Sequence, residues 1–139
     1  MESKKQVLFL CTHNSARSQI AEGYLNAKYG NRYAASSAGT LRTGVHHMAI
    51  EVMKEIGIDI TGQRSKELGE FFGTSFDIVV MVCDRAQGIC PFFPGAGQMI
   101  HKSFPDPSLY EGSSEDIREG FRNVRDEITR WIDTEFGSL

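Results

Sequence analysis

The sequence has no long hydrophobic run and no excess of charge of one sign. Its longest apolar stretches, Val7–Cys11 and Ile78–Cys83, are far shorter than the ~20 residues of a membrane-spanning helix. The 15 basic and 18 acidic residues give a net charge of −3, without the basic stripe that nucleic-acid binding needs. The apolar stretch near the N-terminus is too short for a signal-peptide core. We therefore expect a cytoplasmic protein that binds neither membranes nor nucleic acid.

Cysteine is also scarce, with three residues, Cys11, Cys83 and Cys90, in 139. An odd number of cysteines in a chain without an export signal argues against a structural disulfide framework. They are core residues, metal ligands or reactive thiols. The sequence has no Cys-x2-Cys, and the adjacent pair His46-His47 cannot easily chelate one ion, so we expect no bound metal and place these two histidines at the surface, at the start of a helix. The length fits a single domain over residues 1–139, which we expect to be monomeric.

Short apolar segments alternate with amphipathic ones along the chain. The patterns predict strands over Gln6–Cys11, Tyr33–Ala38, Phe76–Val82 and Gln98–Phe104. They predict helices from Arg17 to Gly30-Asn31 and over His46–Ile56 and Ser113–Phe136, a short helix over Lys66–Phe72, and a mostly irregular Asp84–Gly97. Gly57 is the natural C-cap of the second helix; in the last helix, Ser113 with Asp116 resembles a capping box, and the predicted buried stripe is Ile117, Phe121, Val124, Ile128 and Trp131. This order predicts an α/β fold, a three-layer sandwich with a central four-stranded parallel sheet flanked by helices. Ligands of such sheets bind at the carboxyl ends of strands, where Cys11 and Cys83 both lie.

Cys11 and Arg17 enclose a five-residue loop between a predicted strand and a predicted helix. Such a loop turns its backbone N–H groups inward and forms an anion-binding nest at the helix N-terminus. The Arg17 guanidinium suits two oxygens of a tetrahedral oxyanion, and the positive surroundings favour the nucleophilic thiolate of Cys11. Ser18 can donate a hydrogen bond to that sulfur. The predicted substrate-binding residues are Thr12, His13, Asn14, Ser15, Ala16, Arg17 and Ser18.

Asp106, in Asp106-Pro107, is the candidate proton donor. Displacing an oxygen from a tetrahedral oxyanion requires a proton on the leaving group, and a carboxylic acid in an apolar loop can supply it. Asp-Pro alone is usually only a turn. Its occurrence together with the Cys11 loop favours the catalytic interpretation.

These features resemble the low-molecular-weight protein tyrosine phosphatase fold, and within it the thioredoxin-coupled arsenate reductases. The resemblance covers nearly the whole chain, and its most specific feature is the pair Cys83 and Cys90. The matching segments are Cys11–Gly23, Ser37-Ala-Gly-Thr40, Gly57-Ile-Asp-Ile60, Cys83-x6-Cys90-Pro91, Phe104-x-Asp-Pro107 and Phe121–Ile128.

The resemblance implies an enzyme that reduces arsenate to arsenite and so serves arsenic detoxification. Cys11 would attack the arsenic while Asp106 protonates the departing oxygen. Cys83 would then attack Cys11 and release arsenite, and Cys90 would move the disulfide to Cys83–Cys90. Thioredoxin would reduce this disulfide, so electrons come from thioredoxin and no cofactor is bound. If residues 83–90 formed one helix, the two Cα atoms would be about 10 Å apart, beyond the ~4.4–6.8 Å of a disulfide, so this segment must loop or unwind on oxidation.

One position departs from the resemblance. Some of these reductases have a potassium site built from an asparagine, a glutamate, a serine and an aspartate. Asn14, Glu22 and Ser37 match three of them, whereas Lys66 stands where the aspartate would be. An ammonium group there would replace the cation and pair with Glu22, which predicts weak or absent potassium stimulation.

Two other functions stay open. A low-molecular-weight phosphatase needs only Cys11, Arg17 and Asp106, although phosphatases of this type commonly carry aromatic residues directly after Asp-Pro, and here Tyr110 is displaced by two positions. Residual phosphatase activity would follow from the similar shape and charge of phosphate and arsenate. The third alternative is a non-enzymatic thiol sensor or metal binder.

Overall fold

The computed structural model describes residues 4–11, 16–39, 44–71, 73–82, 96–107 and 110–137. Its elements are β1 (Lys5–Cys11), α1 (Arg17–Tyr29), β2 (Tyr33–Gly39), α2 (His47–Lys54), a 3-10 helix (Leu68–Phe71), β3 (Phe76–Met81), β4 (Ala96–His101) and α3 (Ser114–Phe136).

The four strands form one parallel sheet in the order β2-β1-β3-β4. Successive side chains of a strand point to opposite faces, and β1 is buried on both. Val7, Phe9 and Cys11 belong to a large core that includes residues of all three α-helices, whereas Leu8 and Leu10 pack in a smaller core with the 3-10 helix. Helical elements therefore cover both faces, and the predicted α/β sandwich with a four-stranded parallel sheet is confirmed.

α3 begins at the predicted capping box. The Asp116 N–H donates to Ser113 Oγ, and the Ser113 N–H donates to Asp116 Oδ2, both at 3.1 Å. Of the predicted apolar stripe, Phe121, Val124 and Ile128 are fully buried. α3 thus packs in the larger core with its apolar side inward.

α2 ends in a Schellman motif at Gly57, as the sequence predicts. The Gly57 N–H donates to Lys54 O at 2.9 Å, and the Ile58 N–H donates to Met53 O at 3.0 Å. Gly57 has a φ of 82°, a conformation that residues with a Cβ rarely adopt. The helix therefore stops where a glycine can reverse the chain.

Two predicted boundaries were wrong. β4 begins at Ala96 and ends at His101, so Phe104 lies in the following loop instead of the strand. The short helix predicted over Lys66–Phe72 is a single 3-10 turn over Leu68–Phe71. Most of the irregular segment predicted over Asp84–Gly97 lies outside the described residues.

The C-terminal part of α1 is tied to α3 through Asp133. Its carboxylate accepts hydrogen bonds from Tyr24 Oη at 2.9 Å, Tyr29 Oη at 2.6 Å and Lys28 Nζ at 3.0 Å. These donors hold the pKa of Asp133 below its usual value, although its partial burial works in the opposite direction. The two helices are therefore joined by polar contacts at the end of α1 that is remote from Arg17.

No helix among the described residues is both long enough and apolar enough to cross a membrane.

Candidate active site

The candidate nucleophile ends β1. Cys11 is 3% exposed, and it is a free thiol. Residues 12–15, which connect it to α1, lie outside the described part of the chain, as do Cys83 and Cys90. The substrate contacts expected of Thr12, His13, Asn14 and Ser15, and the relay expected of Cys83 and Cys90, therefore stay predictions.

The N-terminus of α1 is buried. Ala16 precedes the helix with 3% exposure, and Arg17, Ser18 and Gln19 are all buried. The Ile20 N–H donates to Ala16 O at 2.8 Å, and among the described residues no side chain caps this end. A helix N-terminus carries partial positive charge and N–H groups without intrahelical acceptors, so this end of α1 favours an anion.

Arg17 is held in a fixed position at this helix end. Its side chain is only 4% exposed, Nη1 donates to Phe104 O at 3.2 Å, and Nη2 lies 3.5 Å from Asp106 Oδ2. Its Nε is buried with no acceptor among the described residues. A buried N–H without a partner costs free energy, and an oxyanion bound beside the guanidinium would remove that cost.

Asp106 reaches Arg17 from the loop after β4. Its side chain is 12% exposed. Phe104, two residues earlier, is buried with its ring against Trp131 of α3, the centroids 6.1 Å apart. The structure thus brings together two predicted site residues, Arg17 and Asp106, from distant parts of the sequence. Their catalytic roles stay predictions.

The predicted hydrogen bond from Ser18 to Cys11 also stays a prediction. Ser18 is the second residue of α1, and it is completely buried.

His46 is a neighbour of this site that the sequence did not reveal, since the pair His46-His47 was expected at the surface. His46 is half-buried beside Phe121, with ring centroids 4.7 Å apart, and its Nδ1 accepts from the Met48 N–H at 3.1 Å at the start of α2. Burial, and secondarily His47, hold the pKa of His46 below 6.5, while the negative charge of Asp106 opposes this shift. The contact with Phe121 of α3 positions His46 near Asp106, and no pattern in the sequence around His46 indicates this contact.

A second buried ion pair involves Lys66 and Glu22. Lys66 Nζ lies 3.4 Å from Glu22 Oε1, which also accepts from Ser37 Oγ at 2.6 Å. Lys66 Nζ donates in addition to Arg64 O at 2.8 Å. The predicted pairing of Lys66 with Glu22 is therefore present, and the predicted effect on potassium stimulation follows from it as an expectation.

The carboxyl ends of β1 and β3 are joined. The Val82 N–H donates to Leu10 O at 2.9 Å, so the residue before Cys83 is hydrogen-bonded to the residue before Cys11. This bond continues the pairing of Leu10 with Met81. The described residues thus place Cys11 and Val82, which directly precedes Cys83 in the sequence, at the same edge of the sheet.

No group of three or more His, Cys, Asp or Glu side chains in the described ranges is arranged to hold a metal ion.

Comparisons with known proteins agree with this architecture. The chain matches the family described as low molecular weight phosphotyrosine protein phosphatase over residues 6–136. It is 42% identical over 132 residues to a protein named arsenate reductase from Halalkalibacterium halodurans, with 95% of each chain covered.

Solved structures give the same result. A structure titled an arsenate reductase in the phosphate binding state matches with a TM-score of 0.78 and 30% identity, covering 94% of this chain and 95% of the other. A thioredoxin-dependent arsenate reductase from Corynebacterium glutamicum matches with a TM-score of 0.68 and 26% identity, covering 99% of this chain and 65% of the other.

Proposed function

The chain belongs to the low molecular weight phosphotyrosine protein phosphatase family, and on that basis we propose that it is an arsenate reductase with a relay among Cys11, Cys83 and Cys90. The observation that carries the proposal is the Arg17 side chain, which is buried beside Asp106 with one N–H unpartnered among the described residues. The relative from Halalkalibacterium halodurans, named arsenate reductase, supports the choice of arsenate as substrate.

Substrate binding uses the positive end of α1. Arsenate is a tetrahedral oxyanion, and the Arg17 Nε–H provides a donor that no described residue engages. The backbone N–H groups at the start of α1 add donors to a site with little access to water, where such interactions are strong. Binding is therefore expected to depend on the planar guanidinium, which a lysine ammonium does not replace.

The first chemical step joins sulfur to arsenic. The Cys11 thiolate attacks As(V), an As–O bond breaks, and Asp106, which takes up a proton when arsenate binds, gives this proton to the departing oxygen, which leaves as water. General acid catalysis of this kind contributes about 10²–10⁴-fold to a rate. The 3.5 Å separation of Arg17 Nη2 from Asp106 Oδ2 supports this role, because it places the carboxyl group beside the oxyanion-binding side chain.

The second step is the reduction. The Cys83 thiolate attacks Cys11 Sγ, the S–As bond breaks, and its electron pair stays on arsenic, which leaves as arsenite, As(III). The product on the protein is a Cys11–Cys83 disulfide. Cys90 then attacks Cys83 by thiol–disulfide exchange, which restores the Cys11 thiolate and leaves a Cys83–Cys90 disulfide.

A dithiol protein closes the cycle by reducing the Cys83–Cys90 disulfide. We assign this role to thioredoxin, an assignment supported by the likeness to the Corynebacterium glutamicum thioredoxin-dependent enzyme. The chemistry also fits a single-domain monomer in the cytoplasm, where the reducing environment keeps resting thiols free. The arsenite produced would enter arsenic detoxification.

The test is arsenate-dependent oxidation of NADPH in the presence of thioredoxin and thioredoxin reductase. The wild-type chain is compared with C11S, C83S and C90S, and p-nitrophenyl phosphate hydrolysis is measured in parallel. We expect each substitution to abolish arsenate turnover, and only C11S to abolish hydrolysis.

The second candidate function is a phosphatase. The pair Arg17 and Asp106 serves phosphate ester hydrolysis equally well, and the family description itself names a phosphatase. In that case C83S and C90S would retain full activity, and the wild-type chain would hydrolyse phosphate esters without consuming NADPH. A thiol sensor, the remaining alternative, would keep its response to oxidants in C11S.

A further inference from the structure

The loop that carries Asp106 is attached to α3 on both sides of the carboxylate. Upstream, the Phe104 ring packs against Trp131 with an angle of 75° between the ring planes. Downstream, the Tyr110 ring lies directly on the backbone of Gly120. Gly120 and Trp131 are eleven residues apart, about three turns of an α-helix, so the two attachment points share one side of α3.

Gly120 is unusual because it lies in the interior of a 23-residue helix. Glycine weakens a helix interior relative to alanine, so a structural reason for it is expected. A Cβ at this position would overlap Cδ2 and Cε2 of Tyr110 and would lie 3.1 Å from Cγ. The Tyr110 ring thus occupies the space that a side chain at position 120 would fill.

Tyr110 is hydrogen-bonded to the residue that follows Asp106. The Tyr110 N–H donates to Pro107 O at 3.2 Å, and Pro107, which follows Asp106 directly, is buried. Tyr110 is 38% exposed, and its ring packs against Gly120. A displacement of Tyr110 would therefore act on Asp106 through the hydrogen bond to Pro107.

We propose that Tyr110 is a positioning residue for Asp106, and that its ring, seated on Gly120, holds the carboxylate beside Arg17. This inference rests on the proposed function, because it assumes that Asp106 donates the proton in the first step. It also gives Tyr110 a role other than contact with an aromatic substrate, since the ring packs on α3.

A change at Tyr110 should affect proton donation by Asp106 and leave substrate binding by Arg17 intact. Arg17 is held by Phe104 O at the other end of the loop, so loosening Tyr110 leaves the guanidinium in place. We expect Y110A and G120A to lower kcat for arsenate about tenfold, which is part of the 10²–10⁴-fold that a general acid supplies. The KM for arsenate should change less than about twofold, because binding through Arg17 is retained.

The experiment uses the full chain with Y110F, Y110A, G120A and the double variant Y110A/G120A. Y110F is the conservative variant that keeps the ring and should keep wild-type kcat. G62A is the matched glycine control, because a Cβ at Gly62 meets no atom within 4 Å. The double variant should melt at a higher temperature than Y110A, since alanine favours the helix, yet its kcat should stay as low as that of Y110A.

A second readout does not depend on arsenate turnover. The ¹⁵N order parameter of the Asp106 amide should fall in Y110A and G120A and stay unchanged in Y110F and G62A. Wild-type kcat together with an unchanged order parameter in Y110A would overturn the proposal. If the wild-type chain did not reduce arsenate, the proposed function would fail, and the order parameters would still decide whether Tyr110 positions Asp106.

Discussion

Arg17 and Lys66 are both buried cations facing a carboxylate, and their surroundings differ. The Lys66 ammonium pairs with Glu22 and donates to Arg64 O, and Glu22 also accepts from Ser37. Arg17 binds Phe104 O and Asp106 and keeps a buried N–H for which the described residues offer no acceptor. The Lys66–Glu22 pair is therefore a completed structural contact, whereas the Arg17–Asp106 pair leaves a donor for a ligand.

Breaking the completed pair should have the largest effect on stability. K66M leaves the Glu22 carboxylate buried without its cation, so we expect the free energy of unfolding to fall by about 3–5 kcal/mol, measured by urea denaturation. K28M is the matched control: Lys28 pairs with Asp133, but its side chain is 49% exposed, so its loss should lower the free energy of unfolding much less than the loss of Lys66. Equal losses in the two variants would refute the distinction between the pairs.

Altering the incomplete pair should mainly affect activity. R17K keeps the charge but loses the planar fork, and we expect kcat/KM for arsenate to fall about 10²–10³-fold, as when an oxyanion donor is removed. The control is R64K, because the exposed Arg64 side chain pairs with Glu70 and should leave turnover unchanged. Wild-type kcat/KM in R17K would show that Arg17 does not bind the substrate.

The comparison also predicts a small response to potassium. Since the Lys66 ammonium already pairs with Glu22, arsenate turnover in KCl and NaCl at equal ionic strength should differ by less than about twofold, because a metal ion would have to displace a hydrogen-bonded cation. A several-fold increase in KCl would contradict this interpretation. K66D sharpens the test, since the new carboxylate next to Glu22 should make stability depend on potassium.

The smallest expected effect is a pH dependence near Asp106. The pKa of His46 lies below 6.5 in the folded protein because the ring is partly buried. The unfolded chain therefore binds more protons as pH falls, and the free energy of unfolding contributed by His46 decreases from about pH 7 to pH 5. H46N keeps a capping side chain without this titration, so its stability should vary less over this range.

Urea denaturation of the wild-type chain and of H46N at pH 7, 6 and 5 measures this difference in pH dependence. Parallel losses in the two proteins would show that other groups carry the pH dependence.

Local patterns predicted the elements whose limits are set by their own residues. Ser113 with Asp116 marked the start of α3, and Gly57 marked the end of α2. β4 was misplaced because Ala96-Gly97 follows a segment rich in proline and glycine. A Cβ at Gly97 would lie 2.9 Å from Asp77 O, so this glycine permits close approach to β3, a contact between distant segments that no local pattern contains.

The candidate site was predicted through chemistry and resemblance. The composition of Cys11–Arg17 indicated an anion-binding loop, and the structure brings Asp106 to Arg17. The position of His46 near Asp106 and the packing of Tyr110 on Gly120 were missed, because α3 positions both residues, through Phe121 and Gly120. Residues fixed by a distant helix leave no periodic signal in their own segment.

The attachment of α1 at both ends has a mechanical consequence. Its first residue is held through Phe104 O, and Tyr24, Lys28 and Tyr29 near its last turn bind Asp133. A helix that is hydrogen-bonded at both ends resists displacement along its axis. The Arg17 guanidinium at the start of α1 is therefore already ordered when the chain has folded. An oxyanion then binds more tightly, because binding costs little further conformational entropy of this side chain.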